Sequence, residues 1–211
     1  MKITRVEVIP LKRQLDEPFE GGTYSVVNRD TLVTRIYTDE GLVGEIFGGD
    51  EDHAQDKVVR VIREALAPLL IGADPQNVER LWAQMFAQKV DLGNRSIHTL
   101  DMYNHAAFMQ AIAAIDNALW DLLGKIHNQP VYRLLGGYRD KVPVIAIGGY
   151  YQAKKGQDQL NEEMLHYKQL GMAGVKFKVG RHTVAEDVER VARVRELVGD
   201  DFIIVCDANQ A

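Results

Sequence analysis

Two short segments carry residues whose types and spacing suit the chemistry of a charged site: Lys176-Phe177-Lys178 and Asp207-Ala208-Asn209. Strand side chains alternate, so Lys176 and Lys178 share one face while Val175, Phe177 and Val179 share the other. By the same rule Asp207 and Asn209 lie opposite Cys206 and Ala208. Two ammonium groups on one side of a buried strand are costly to desolvate. The ordinary alternative is a strand that frays there, letting both lysines reach water. For the second pair the ordinary alternative is a strand-to-loop cap, since Asp and Asn favour turns. Taken together the pairs favour a site, because adjacent parallel strands would bring both to their carboxyl ends, the active-site end of α/β barrels. A carboxylate and an amide oxygen also suit a hard cation such as Mg²⁺.

The elements that must position these residues are visible in the chain's rhythm. Val142 to Tyr150, Gly174 to Val179 and Phe202 to Asp207 are predicted strands, with helices around Asp158 to Leu170 and Val184 to Val198. Strands alternating with helices are what βαβ units produce, and such units build a parallel sheet covered by helices. Earlier residues read differently. Ile3 to Lys12, Thr31 to Thr38 and Leu42 to Phe47 are predicted strands, the last two forming an antiparallel hairpin around Asp39-Glu40-Gly41. Asp16 to Arg29, rich in Gly, Pro and polar residues, is predicted as a long loop that could serve as a lid. Helices follow from Asp50 to Leu70, from Asp74-Pro75 to Lys89, and from Tyr103 to Ile126, the last apolar around most of its circumference. Strands followed by helices predict an α+β domain over residues 1–135, with the βαβ region, 136–211, as a second domain. Three parallel strands cannot close a barrel, so the second domain reads as the first part of one.

Several longer motifs carry a resemblance. GVKFKVG from Gly174 to Gly180, VCDANQA from Val205 to Ala211, ALWDLLGK from Ala118 to Lys125 and QPVYRLLGG from Gln129 to Gly137 are similar to the mandelate racemase and muconate lactonizing enzymes of the enolase superfamily. Asn209-Gln210 leans toward the mandelate racemase branch. The resemblance implies an α+β capping domain followed by the first strands of a modified (β/α) TIM-type barrel, incomplete in this chain. It implies Mg²⁺-dependent removal of the proton α to a carboxylate, giving racemisation or dehydration of a hydroxy acid or acid sugar. In that pattern Lys178 matches the general base, and Lys176 matches the residue that binds and neutralises the substrate carboxylate. Asp207 matches a metal ligand, and Asn209 matches a substrate-binding or metal-supporting position. Positive charge concentrated beside the substrate would stabilise the dianion that forms and would be expected to lower the pKa of Lys178. The resemblance also implies further acidic metal ligands and a second acid/base on later strands, and a homo-oligomer at full length.

Composition narrows the partners. The net charge of −5 and pI near 5.7 argue against nucleic acid as a partner. Cys206 is the single cysteine, which excludes an intramolecular disulfide and suits a reducing, cytoplasmic setting. No apolar run approaches the ~20 residues of a membrane helix. The resemblance implies a small carboxylate as the partner, and the composition points to neither nucleic acid nor membrane. Cys206 is expected as a small core residue, and the six histidines show no metal-type pairing. Glu20, Tyr24, Arg29, Tyr150, Tyr151 and the segment Gly48-Gly49-Asp50 are secondary candidates for lining a site. Other readings stand beside the first: a muconate-lactonizing-type cycloisomerase or epimerase, an inactive fragment or assembly partner, and an unrelated barrel using Lys178 for a Schiff base.

Overall fold

A computed structural model describes residues 1–48, 55–88 and 102–209 and divides the chain into two compact units. The first comprises Met1–Arg13 with Arg29–Arg139, and the second Gln14–Asn28 with Asp140–Ala211. Residues 14–28 thus cluster with the second unit rather than with the remainder of 1–135. The predicted loop there is largely strand. β1 runs Ile3–Glu20 and β2 Ser25–Thr38, leaving only a short tip between them.

In the first unit the sheet order is β1-β2-β3, with β3 spanning Val43–Gly48. β2 and β3 pair antiparallel from Tyr37↔Val43 to Leu32↔Gly48, as the turn signal predicts. β2 alternates along this stretch, burying Leu32, Thr34, Ile36 and Thr38. The unit's helical elements are α1 (Gln55–Arg60), a π-helical turn Val61–Leu66, α2 (Ala67–Leu70), α3 (Val78–Phe86), α4 (Met102–His127) and α5 (Val131–Leu134), of which α4 packs on β3. The start of the predicted Asp50–Leu70 helix lies outside the described residues. α3 begins later than Pro75 because Asp74 to Asn77 forms a turn, with the Asn77 N–H donating to the Asp74 carbonyl at 3.2 Å. α4 buries Ala111, Ile112, Ile115, Ala118, Leu119 and Leu122, while Ala113 and Asn117 reach solvent. A Cβ on Gly44 would stand 2.2 Å from the Ala118 carbonyl oxygen, so only glycine lets β3 approach α4 this closely.

The second unit contains β4 (Ile145–Gly148), α6 (Gln157–Gln169), β5 (Gly174–Lys178), α7 (Val184–Val198) and β6 (Ile203–Asp207). The three strands are parallel in the order β4-β5-β6. Leu160 and Met164 of α6, Val175 and Phe177 of β5, Val194 and Val198 of α7, and Phe202 form its core. α7 starts at Thr183, which accepts the Glu186 N–H while the Glu186 carboxylate reaches back to Thr183, and it stops at Gly199. β4 is shorter than the predicted Val142 to Tyr150. Val142 and Val144 are exposed, and Gly149 adopts a φ of 67° that turns the chain away. Cys206 is exposed, which corrects its expected place in the core. It sits on the sheet's edge strand, where it lines an open apolar groove with Val179, Val188 and Ile204. Among the described residues no helix is long and apolar enough to cross a membrane.

Candidate active site

β5 and β6 pair so that Lys176 lies opposite Val205 and Lys178 opposite Asp207. Val175 and Phe177 point into the core, and the lysines take the other face. Lys178 Nζ donates to Asp207 Oδ2 at 2.8 Å and to Asn209 Oδ1 at 2.5 Å. Lys176 Nζ lies 3.0 Å from the same Asp207 oxygen. Asn209 adopts a φ of 51°, and its N–H donates to Asp207 Oδ1 at 3.0 Å. This Asx-type turn places the amide beside the ammonium. From the tip between β1 and β2, Thr23 Oγ1 donates to the Asn209 carbonyl at 3.1 Å.

The side chain of Lys178 is only 2% exposed, whereas that of Lys176 is 34% exposed. Fraying therefore does not describe Lys178. Its charge is met by the carboxylate, by the amide oxygen, and by the rings of Tyr24 and Tyr150, whose centroids lie 5.7 and 5.4 Å from Nζ. Burial pulls the Lys178 pKa down, but hydrogen bonds with Asp207 and Tyr24 outweigh it and leave the amine above its ordinary value. The expected lowering belongs to a site that also holds Mg²⁺. The nearest full charge is an anion, and a paired ammonium holds its proton. Hydrogen bonds from Lys178 and Lys176, then from the Asn209 N–H, hold the Asp207 carboxyl well below the usual carboxylate range.

The secondary candidates divide. Glu20 and Tyr151 exchange backbone hydrogen bonds of 2.8 and 3.0 Å. They line a cavity of about 710 Å³ with Tyr150, Lys155, Arg181 and His182. Its charges are paired, Arg181 with Glu20 and Lys155 with Glu163, each at 2.5 Å. His182 packs edge-on against Tyr151, with ring centroids 4.8 Å apart. Arg29 clusters with the first unit. Gly49 and Asp50 lie outside the described residues, as do His53 and His98. Sequence reasoning passed over Arg190, whose guanidinium bonds the backbone at the end of β5. The available signal was its spacing three residues after Asp187 on the predicted Val184 to Val198 helix.

Asp207 is a hard-oxygen donor of the kind magnesium takes, with the Asn209 amide beside it. Among the described residues no group of three His, Cys, Asp or Glu gathers to hold a metal. Asp207 therefore fits as one ligand and not as a complete site.

An α+β unit followed in the chain by parallel β/α units, with Lys-x-Lys and Asp-x-Asn ending neighbouring strands, defines the class as an enolase-superfamily protein. Residues 3–136 match the family model for the mandelate racemase/muconate lactonizing enzyme N-terminal domain, and residues 159–211 match that for the enolase C-terminal domain-like region. The chain belongs to the mandelate racemase/muconate lactonizing enzyme family. It is 36% identical to arabinonate dehydratase of Saccharolobus solfataricus, over 85% of this chain and 45% of that protein. It is 32% identical to N-succinyl-L-Arg/Lys racemase of Bacillus cereus, over 100% of this chain and 53% of that protein. A crystal structure of a mandelate racemase/muconate lactonizing enzyme from a marine actinobacterium, in complex with magnesium, superposes with a TM-score of 0.80 at 41% identity, covering 99% of this chain and 52% of that one. Dehydratases, racemases, epimerases and cycloisomerases all occur among the relatives. The chain spans about half the length of these relatives.

Proposed function

We propose that these residues belong to an enzyme that removes the proton α to a carboxylate, acting on a hydroxy acid or acid sugar. The observation that carries the reading is the convergence of Lys178 and Lys176 on one oxygen of Asp207, with Asn209 alongside. Lys178 is the base, Lys176 the partner of the substrate carboxylate, Asp207 one magnesium ligand and Asn209 a substrate or metal-shell contact. Magnesium, when bound, supplies concentrated positive charge against the charge that builds on the substrate carboxylate. The partly exposed Lys176 can meet an incoming carboxylate, while the buried Lys178 is held in one geometry, as a proton-transfer group needs. Paired with Asp207, Lys178 carries its proton. With Asp207 engaged by magnesium that pairing would weaken, the ammonium could release its proton to solvent, and the neutral amine could then accept the substrate's α proton and later return it. The barrel that β4, β5 and β6 would begin belongs to the same reading.

Racemisation or dehydration is the first expectation. The muconate-lactonizing-type reading stands second, supported by a 32% identical D-galactarolactone cycloisomerase from Agrobacterium fabrum. Proton exchange with D₂O, followed by ¹H NMR over a panel of hydroxy acids and acid sugars with Mg²⁺, tests the shared first step. In a whole enzyme carrying these residues, Lys178→Ala should abolish exchange and leave Mg²⁺ binding intact. Exchange retained on every competent substrate enantiomer would overturn the role of Lys178.

A further inference from the structure

The parallel ladder between β4 and β5 ends at the pair Gly148↔Phe177. One residue further on, a side chain takes over from the backbone. The guanidinium of Arg190, on α7, donates through Nη1 to the Lys178 carbonyl at 3.3 Å and through Nη2 to the Gly149 carbonyl at 3.1 Å. Nη1 also donates to Asp187 Oδ1 at 2.9 Å. That oxygen accepts the Tyr151 hydroxyl at 2.8 Å, and the other, Oδ2, accepts the Gly180 N–H at 2.7 Å. The guanidinium carbon lies 4.4 Å from the Tyr151 ring centroid and 4.9 Å from that of Phe177. Asp187 is buried, and the Arg190 side chain is 15% exposed.

A buried ion pair is weak evidence for stability, because well-packed apolar residues often serve as well. This pair does something apolar residues cannot. It bonds the carbonyl of Lys178 and the amide of Gly180, two residues on, while also anchoring the end of the neighbouring strand. The backbone carrying the Lys178 side chain is thereby fixed from below, on the face opposite the site. We infer that Asp187 and Arg190 are positioning residues for Lys178, a network that sets the place of its Nζ between Asp207 and Asn209. The inference rests on the proposed base role of Lys178 for its catalytic meaning, and on geometry alone for its structural content.

The test uses chain labelled with ¹⁵N-lysine. A buried, hydrogen-bonded ammonium exchanges slowly enough to be followed by NMR, and Lys178→Met assigns its Nζ signal. In Arg190→Met, with folding verified by circular dichroism, that signal should broaden or shift, and Arg190→Lys should restore it in part. The Nζ signal of Lys168, which donates to the Val198 carbonyl at 2.7 Å, should stay in place. Tyr151→Phe removes one hydroxyl from the network and should move the Lys178 signal less, in the same direction. In the whole enzyme Arg190→Met should lower kcat for α-proton exchange roughly tenfold or more with KM little changed, as expected for a displaced reacting group. An unchanged Lys178 signal in folded Arg190→Met overturns the inference, and if that variant does not fold, an unchanged signal in Tyr151→Phe does so. The signal is read without substrate. Absence of proton exchange in the wild type would therefore count against the proposed reaction, while the NMR comparison still decides the network.

Discussion

Lys178 Nζ and Asp207 Oδ2 lie 2.8 Å apart, and the two groups are unequally sheltered: the lysine side chain is 2% exposed and the aspartate 24%. The anion facing solvent can change partners, while the buried cation cannot. Asp207→Asn should therefore leave an uncompensated ammonium on a side chain that is itself shielded from water. The expected outcome is a lower pKa for Lys178, read from the pH dependence of its Nζ resonance, together with a lower urea midpoint. Adding Lys178→Met to Asp207→Asn should recover part of that loss, because the stranded charge is then gone.

Acid should unfold the second unit through its carboxylates. Burial pushes Asp187 upward, but the Gly180 N–H, the Tyr151 hydroxyl and Arg190 together hold it below its ordinary value. Asp207 is depressed in the same direction by Lys178 and Lys176. A depressed native pKa contributes stability that is fully present above the unfolded value, about 4, and is lost as pH falls through the native value. The urea midpoint should hold between about pH 5 and 7 and drop below about pH 4. Asp187→Asn should lower the plateau and make the drop shallower. A midpoint with the same acid dependence in that variant would contradict the assignment.

Two glycines separate a conformational cost from a packing cost. Gly149 has a φ of 67°, and a Cβ there would meet the Phe177 ring at 2.5 Å. Gly171 has a φ of 76° with nothing within 4 Å. Gly171→Ala should cost about 1 kcal/mol, the backbone penalty alone. Gly149→Ala should cost roughly 2–4 kcal/mol, because strain and overpacking act together. Urea denaturation of the two variants measures the difference.

Magnesium should do little to the isolated chain. One carboxylate already held by two lysines is a poor site for a cation that takes several hard oxygen donors. Thermal unfolding at micromolar Mg²⁺ should match unfolding in EDTA. A clear rise in Tm would show that the residues present suffice for binding.

The sequence made the second unit's helices and inner strands legible where an apolar face meets a clear stop. Val184 to Val198 is predicted and found as α7, between Thr183 and Gly199. The shared face of Lys176 and Lys178 follows from strand alternation alone, and so does its pairing with Asp207 once parallel strands are assumed. Residues 14–28 were not legible as strand. Backbone pairing builds them from mostly exposed or half-buried polar residues, so no apolar alternation marks them. Arg190 was hidden for a different reason. A charged residue on a helix reads as a solvated one until the strand carbonyls it binds are placed in space.

The clustering of Gln14–Asn28 with Asp140–Ala211 has a consequence for the birth of the protein. Thr23 and the Asn209 carbonyl it binds are 186 residues apart in sequence. At ribosomal speeds of about 5–20 residues per second, the tip of the β1–β2 ribbon emerges on the order of ten seconds or more before Asn209 is made. Contacts this distant along the chain raise contact order and slow folding. Throughout that interval the ribbon end presents unpaired strand edges. Nascent-chain aggregation, and any demand for a chaperone, should therefore centre on these early residues rather than on the helices made after them.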